Sequence, residues 1–398
     1  MSEGRTEPGR PGDSPSIPFW HDPAKRSLVY QALALALVLM VGYYLFAITQ
    51  SNLRKQSIAT GFGFFGREAG FEIGESIIPY SSADTYARAL VAGILNTLRV
   101  SLVGIILTIV LGTLVGVARL SSNWLVSRLA ASYIEVLQNI PVLLQLFFWY
   151  ALFHDSLPGP RQSFSPLPGF FLNNRGFYFP IPVEHPAYPR IGIAVVIVCA
   201  VITILRRWAR KRQDMTGQSF PVWSVSSAML IVLPLLTWII SGAPTALNIP
   251  HLSGFNFEGG MTVSPEFAAL LLGLVLYTSA FVAEVVRAGI QAISRGQTEA
   301  AMSIGLKPGH VLTLIILPQA LRVIIPPLTS QMLNLTKNSS LAVAIGYPDL
   351  VSVANTTINQ TGQAIEGVAI IMVVYLFFSL VTSAFMNWYN KKMALVER

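Results

Sequence analysis

Charge is scarce in this chain: Lys, Arg, Asp and Glu make up 12% of its 398 residues, where a soluble domain carries about twice as much. With 53% apolar residues and a mean hydropathy of +0.57, it falls in the integral-membrane class. There is one cysteine, Cys199, inside an apolar run, which excludes a disulfide framework within the chain. Its five histidines, at 21, 154, 185, 251 and 310, have no metal-ligand spacing. There is no GxxxxGK[ST] phosphate loop and no HExxH, Ser/His/Asp grouping or carboxylate pair in a recognisable pocket. No catalytic residue, metal or cofactor is therefore expected, and the chain reads as a non-enzyme.

What the chain has instead is long apolar runs. The first 27 residues, rich in Pro, Gly, Ser and charge, read as a disordered cytoplasmic tail. Residues 28–48, LVYQALALALVLMVGYYLFAI, are long enough to cross about 30 Å of hydrocarbon and too long for a signal peptide core. A polar segment, 49–90, is placed outside the membrane. Within it, Gly61-Phe62-Gly63-Phe64-Phe65-Gly66 matches the dinucleotide fingerprint by letters only, without the strand and helix the fingerprint needs. It is read as a membrane-surface loop. Further spans are expected at about 97–117, 133–153, 191–205, 222–241 and 267–286, one more between 311 and 345, and an eighth at 364–388. Gly112 and Gly116 in the second form a small-xxx-small pair, compatible with either packing within the chain or a seam between subunits. Residues 154–190 read as an external loop with turns at Leu157-Pro158-Gly159-Pro160. In the seventh crossing, Pro326-Pro327 and Lys337-Asn338-Ser339-Ser340 predict a broken or kinked helix. Lys337 there is costly unless it faces a cavity, an acidic partner or the outer surface.

The net charge of +8 does not point to nucleic acid, because the basic residues cluster at the ends of apolar runs. With eight crossings and both termini cytoplasmic, 18 of the 27 Lys and Arg residues fall on the inside. The run Arg206, Arg207, Arg210, Lys211 and Arg212 is the densest of these clusters, a topology signal first and a candidate anionic-lipid contact second. Residues 242–266 contain no Lys or Arg at all.

One inside segment carries a pattern of its own, ISRGQTEAAMSIGLKPGHVLTLIILP from Ile293 to Pro318. Ser294 and Gln297 predict a capping box, Glu299 sits near the positive end of the helix dipole, Gly305 supplies a C-terminal stop and Pro308 is expected to prevent a restart. The result is about three turns, roughly 15 Å, too short and polar to span a bilayer. Small alanines would let it approach a partner closely.

Glu299-Ala300-Ala301, then Gly305, Ile315 and Leu317-Pro318, resembles the EAA motif of the membrane subunits of ABC importers, with every marked position filled. From Gly93 on, AGILNTLRVSLVGI, QNIPVLLQLFFWYALF, TSAFVAEVVRAGI, ILPQALRVIIPPL and TKNSSLAVAIGYPDL are similar to the polar and general L-amino-acid branch of these permeases. The resemblance implies an all-α integral membrane chain of about eight transmembrane helices with the type-1 permease fold, a five-helix core plus extra helices. It implies a permease domain over 91–390, interrupted by an insertion at about 154–260 that holds two extra spans, and a cytoplasmic coupling-helix loop at 289–310. In the family that loop engages a separate ATPase, so Glu299, Ala300, Ala301 and Gly305 are the candidate ATPase-coupling residues. Asn139, Gln145, Asn338 and Ser339, polar in apolar surroundings, are candidates for the substrate pathway. The implied partners are two copies of an ABC ATPase, a second and different permease chain, a periplasmic amino-acid-binding protein and an L-amino-acid substrate, in a bacterial inner membrane. The rival classes are an ion-coupled secondary transporter or channel, which would show inverted repeats around a midplane site, and an ABC permease for another small solute.

Overall fold

The computed structural model describes residues 23–55 and 60–393. The expected tail lies outside these residues except for its last few, which already belong to the first helix. Among the described residues, seven helices are long and apolar enough to cross a membrane, and eight if one bent pair counts as a single span.

In chain order, α1 (Pro23–Lys55) is followed by a short 3-10 turn (Phe62–Gly66), then α2 (Tyr86–Arg119), α3 (Trp124–Asn139) and α4 (Val142–Asp155). The insertion opens with strands β1 (Phe164–Leu167), β2 (Phe170–Asn173), β3 (Gly176–Phe179) and β4 (Ile181–Pro182). It continues through helices α5 (Ala187–Thr216) and α6 (Val222–Ile240) and closes with β5 (Leu247–Asn248), β6 (His251–Ser253), β7 (Asn256–Glu258) and β8 (Met261–Val263). The rest is α7 (Pro265–Gln291), α8 (Arg295–Ser303), α9 (Pro308–Val311), a π-helical turn (Leu312–Ile316), α10 (Leu317–Asn338), a 3-10 turn (Ser339–Ile345), α11 (Leu350–Thr361) and α12 (Ala364–Met393).

α7 is the centre of the fold: 61% of its most apolar stretch is buried, against 0% for α1 and 6% for α6. Its small residues Ala269, Gly273, Ser279, Ala280, Ala283 and Gly289 are buried and let neighbouring backbones come close. Gly112 and Gly116 of α2 pack on α7, where a β-carbon on Gly112 would stand 2.6 Å from the Val282 β-carbon. This settles the small-xxx-small pair as packing within the chain. Gly289 likewise meets Ile324 of α10. Around α7, one core gathers Val100, Leu146, Leu270, Leu274, Ala342 and Tyr347, and another gathers Val282, Val286, Ala320, Ile324 and Met332.

Several expectations change. The third span is not one rod: α3 and α4 meet at 103°, because Pro141, with φ −53 and ψ 134, cannot continue α3. α2 begins at Tyr86, well before Thr97, with Thr85 as its N-cap. The Gly/Phe run at 61–66 is no mere surface loop, since Phe64 is 1% exposed and packs edge-on against Tyr86. α5 runs to Thr216, so the arginine run lies on the helix itself rather than beyond a short span.

The expected break in the seventh crossing is displaced. α10 passes through Pro326 and Pro327 unbroken, as membrane helices can when neighbours take up the freed backbone groups. The irregular turns flank it instead, π before Pro318 and 3-10 after Asn338.

The segment expected to be an external loop, 154–190, joins with residues 242–266 in a small antiparallel sheet of order β1-β2-β3-β8 and two two-stranded ribbons. These strands sit within an otherwise helical chain. Strands of two to four residues, interrupted by proline, are too short to show an alternating period. Tyr178 and Phe257 close over the sheet with ring centres 4.9 Å apart. The pairing of β3 with β8 brings the start of α5 and the start of α7 to one end of the spans. The α5–α6 turn and the end of α7 therefore share the opposite end.

Candidate functional site

The short helix α8 hangs from the end of α7 and is nine residues long, about 14 Å at the standard rise. Ser294 is its N-cap, but its side chain makes no capping bond, so the expected capping box does not form; only the Ser294 carbonyl accepts from Gln297 N–H, at 3.1 Å. The C-terminal stop is as expected. Gly305 adopts φ 84, its N–H donates to the Met302 carbonyl at 2.9 Å, and Leu306 N–H donates to the Ala301 carbonyl at 3.2 Å, the paired bonds of a Schellman end. Pro308 does not stop the chain. It opens α9, where its missing N–H costs nothing, and the helical path continues through the π turn into α10.

The helix has two unlike faces. Ala301 is 2% exposed and Thr298 half-buried, and this side leans on the π turn and α9. Glu299, Ala300 and Gly305 are exposed, beside Met302 at 50% and Ile304 at 78% exposure. A carboxylate, a small residue and two bare apolar side chains thus share an open surface. Behind it, α7 carries the Glu284–Arg287 ion pair, with Arg287 Nε 2.9 Å from Glu284 Oε2. Any push on α8 reaches both α7 and α10, between whose ends it is strung.

The pathway candidates fall into two groups. Gln145 is 4% exposed, and its amide nitrogen donates to the Leu137 and Ile140 carbonyls, each at 3.0 Å. It bridges the bend between α3 and α4, where Pro141 has freed backbone acceptors. Asn139 is exposed on the other side of that bend, its amide on the Glu135 carbonyl at 2.6 Å. Asn338 and Ser339 mark the end of α10, Asn338 half-buried and Ser339 fully buried, its hydroxyl donating to the Thr336 carbonyl at 2.8 Å. α4 and the turn after α10 share one core, with Leu146 among the side chains packed around Ala342 and Ile345. Lys337, next to them, is exposed.

At the end away from α8, a polar hub escapes sequence reasoning. Arg99 pairs with Glu75 and lies over the Phe267 ring at 4.1 Å, while Ser264 donates to the other Glu75 oxygen. Asn96 donates to the Glu75 and Pro348 carbonyls at 2.7 and 2.9 Å, and Thr97 accepts from Leu350 N–H at 3.0 Å. Asp349 caps α11 through Ser352 N–H at 2.9 Å. Burial pushes its carboxyl up to about 6, against the lowering pull of the backbone N–H groups and of the Tyr375 hydroxyl. The signal was there: Asn96, Thr97 and Arg99 are polar within an apolar run, which demands internal partners. Beside this hub, a cavity of about 310 Å³ opens between Glu72, Glu75, Glu266, Gly346 and Thr356. Among the described residues, no group of three or more His, Cys, Asp or Glu could hold a metal ion.

A central buried helix, a bent span, a cavity at one end and an exposed amphipathic helix at the other define a multi-pass membrane transport component. The chain belongs to the family of binding-protein-dependent transport system inner membrane components, whose family model matches residues 215–395. It is 50% identical over 378 residues, 95% of this chain and 94% of the other, to the general L-amino acid transport system permease protein AapQ of Rhizobium johnstonii. It is 49% identical to the putative amino-acid ABC transporter permease protein YhdX of Escherichia coli, over 95% of this chain and 96% of that one. Identity is 39% to the glutamate/glutamine/aspartate/asparagine transport system permease protein BztB of Rhodobacter capsulatus, again over 95% and 96%. Alignments this long take in the whole insertion, of which the 215–395 match covers only the part from 215 on.

Proposed function

We propose that this chain is a permease subunit of an ATP-driven, binding-protein-dependent importer of L-amino acids in a bacterial inner membrane, with both termini cytoplasmic. The relatives named for general L-amino acids and for glutamate, glutamine, aspartate and asparagine support the substrate class. Two copies of a separate ABC ATPase hydrolyse ATP, a second and different permease chain completes the path, and a periplasmic binding protein delivers the substrate.

The observation that carries this reading is the exposed face of α8. An apolar and acidic patch on a rod too short to span the membrane, fastened at both ends to core helices, suits docking into a protein groove. Glu299 and Ala300 form the docking face, Ala301 couples it to the chain by seating α8 on the π turn and α9, Gly305 sets the angle at which the chain leaves it, and motion of the ATPase tilts α7 and α10 together. The substrate path follows α4 and the turn after α10, with Asn139, Gln145, Asn338 and Ser339 along it. The shared core of those two elements supports the placement, because a shift of α10 must move α4.

The test is Glu299→Lys in the whole co-expressed complex, purified and reconstituted in proteoliposomes with binding protein and a radiolabelled amino acid. The expected result is a chain that still reaches the membrane but no longer couples substrate-stimulated ATP hydrolysis to uptake. Normal uptake together with normal assembly would refute the docking role.

A further inference from the structure

The α5–α6 hairpin is a satellite. Its two helices pack on each other through Val198, Ile202 and Ala209, and most of its remaining surface is exposed. The end carrying Arg206, Arg207, Arg210, Lys211 and Arg212 lies on the α8 side, and none of the five forms an ion pair among the described residues. Aromatic rings sit among them. Arg206 lies 5.4 Å from the Trp223 ring centre and Arg212 5.6 Å from that of Trp208, while Trp208 meets Phe220 edge-on at 5.4 Å. Rings of this kind settle at the headgroup level of a bilayer.

Below Arg206 the two helices part. A groove of about 400 Å³ is lined by Cys199, Ile202, Thr203, Arg206, Trp223 and Ser226. Ser226 is 5% exposed, and its hydroxyl has no hydrogen-bond partner. A buried hydroxyl without a partner costs free energy unless something supplies one. The groove therefore presents a cation at its mouth and an apolar floor running along the span, while the Ser226 hydroxyl lies sealed in its wall.

We propose that this groove binds an anionic phospholipid, its phosphate held by Arg206 and the neighbouring basic side chains and an acyl chain lying along Cys199 and Leu230. Charge complementarity selects the anionic headgroup. The apolar continuation into the span selects a membrane lipid over free phosphate, which has no use for it. The site is independent of which solute the permease carries.

Native mass spectrometry of the intact purified transporter, titrated separately with phosphatidylglycerol and phosphatidylcholine, tests it. Wild type is expected to retain phosphatidylglycerol in preference to phosphatidylcholine. Arg206→Gln weakens that retention about fivefold and each further basic residue removed does so again, in line with ~1 kcal/mol per charge near a membrane surface. Arg206→Lys keeps most of it. Equal retention of the two lipids by wild type, or unchanged phosphatidylglycerol retention in Arg206→Gln, overturns the proposal. So does loss of the ATPase subunit from the basic-cluster variants with lipid retention intact, which would make this face a protein contact.

Discussion

Gly116 on α2 lies so close to Ala283 on α7 that a β-carbon added to it would stand 2.6 Å from the Ala283 carbonyl oxygen and 2.9 Å from the Val286 β-carbon. Backbone meets backbone here, and dispersion between closely packed helices holds the pair where lipid offers no hydrophobic drive. Gly116→Val is expected to lower stability by roughly 1–3 kcal/mol through overpacking, read as a lower melting temperature in detergent. Gly42→Ala on α1, where nothing lies within 4 Å, should leave it unchanged. An undisturbed Gly116→Val would show that α2 and α7 do not pack this way.

The two alanines of α8 should respond differently to the same change. Ala301 is buried against the π turn and α9, whereas Ala300 is exposed. Ala301→Leu is expected to displace α8 and reduce both the yield of folded chain and complex assembly. Ala300→Leu should leave the isolated chain's melting temperature unchanged while weakening co-purification of the ATPase. Equal behaviour of the two in the melting assay would remove the distinction between the faces.

Gly305 holds the Schellman end at a positive φ, which costs a branched residue on the order of 1–2 kcal/mol. Gly305→Val should lower ATP-dependent uptake and cost stability only by that backbone strain, since nothing lies within 4 Å of a β-carbon there to clash with it. Uptake equal to wild type would mean that the exit angle of α8 does not matter.

The Arg99–Glu75 pair is mostly buried, with 19% and 17% of the side chains exposed. Removing either partner leaves a charge without its mate, at about 3 kcal/mol. Arg99→Leu and Glu75→Leu should each be more destabilising than the double replacement, measured by thermal unfolding as a double-mutant cycle. Strictly additive losses would contradict the pairing.

Asp349 predicts a pH dependence. Its folded carboxyl titrates at about 6, above the ordinary 3.8, so the folded state holds the proton more tightly than the unfolded chain. The stability this adds is full at pH values below the ordinary one and is lost as pH rises to about 6. The melting temperature of wild type relative to Asp349→Asn should therefore fall between about pH 4 and pH 7. A difference that stays constant over that range would show the carboxyl to be unburied.

Membrane class, the apolar segments that form the long helices and the position of α8 were decided by the sequence alone. Hydrocarbon tolerates neither charge nor unpaired backbone, so apolar runs and their basic flanks declare themselves residue by residue. Gly305 was legible for a local reason too, since a glycine just past a short helical stretch can close it in the left-handed conformation without strain. What only the tertiary structure decided were the relations between distant segments. These include the 103° bend at Pro141, the unbroken passage of α10 through Pro326 and Pro327, Gly112 and Gly116 against α7, and the tie of Glu75 to Arg99 and Ser264. The sheet joining β3 to β8 across two spans belongs with them. In each case the outcome depends on which neighbour takes up a freed carbonyl, a missing side chain or a buried charge, and that neighbour lies far away in the chain.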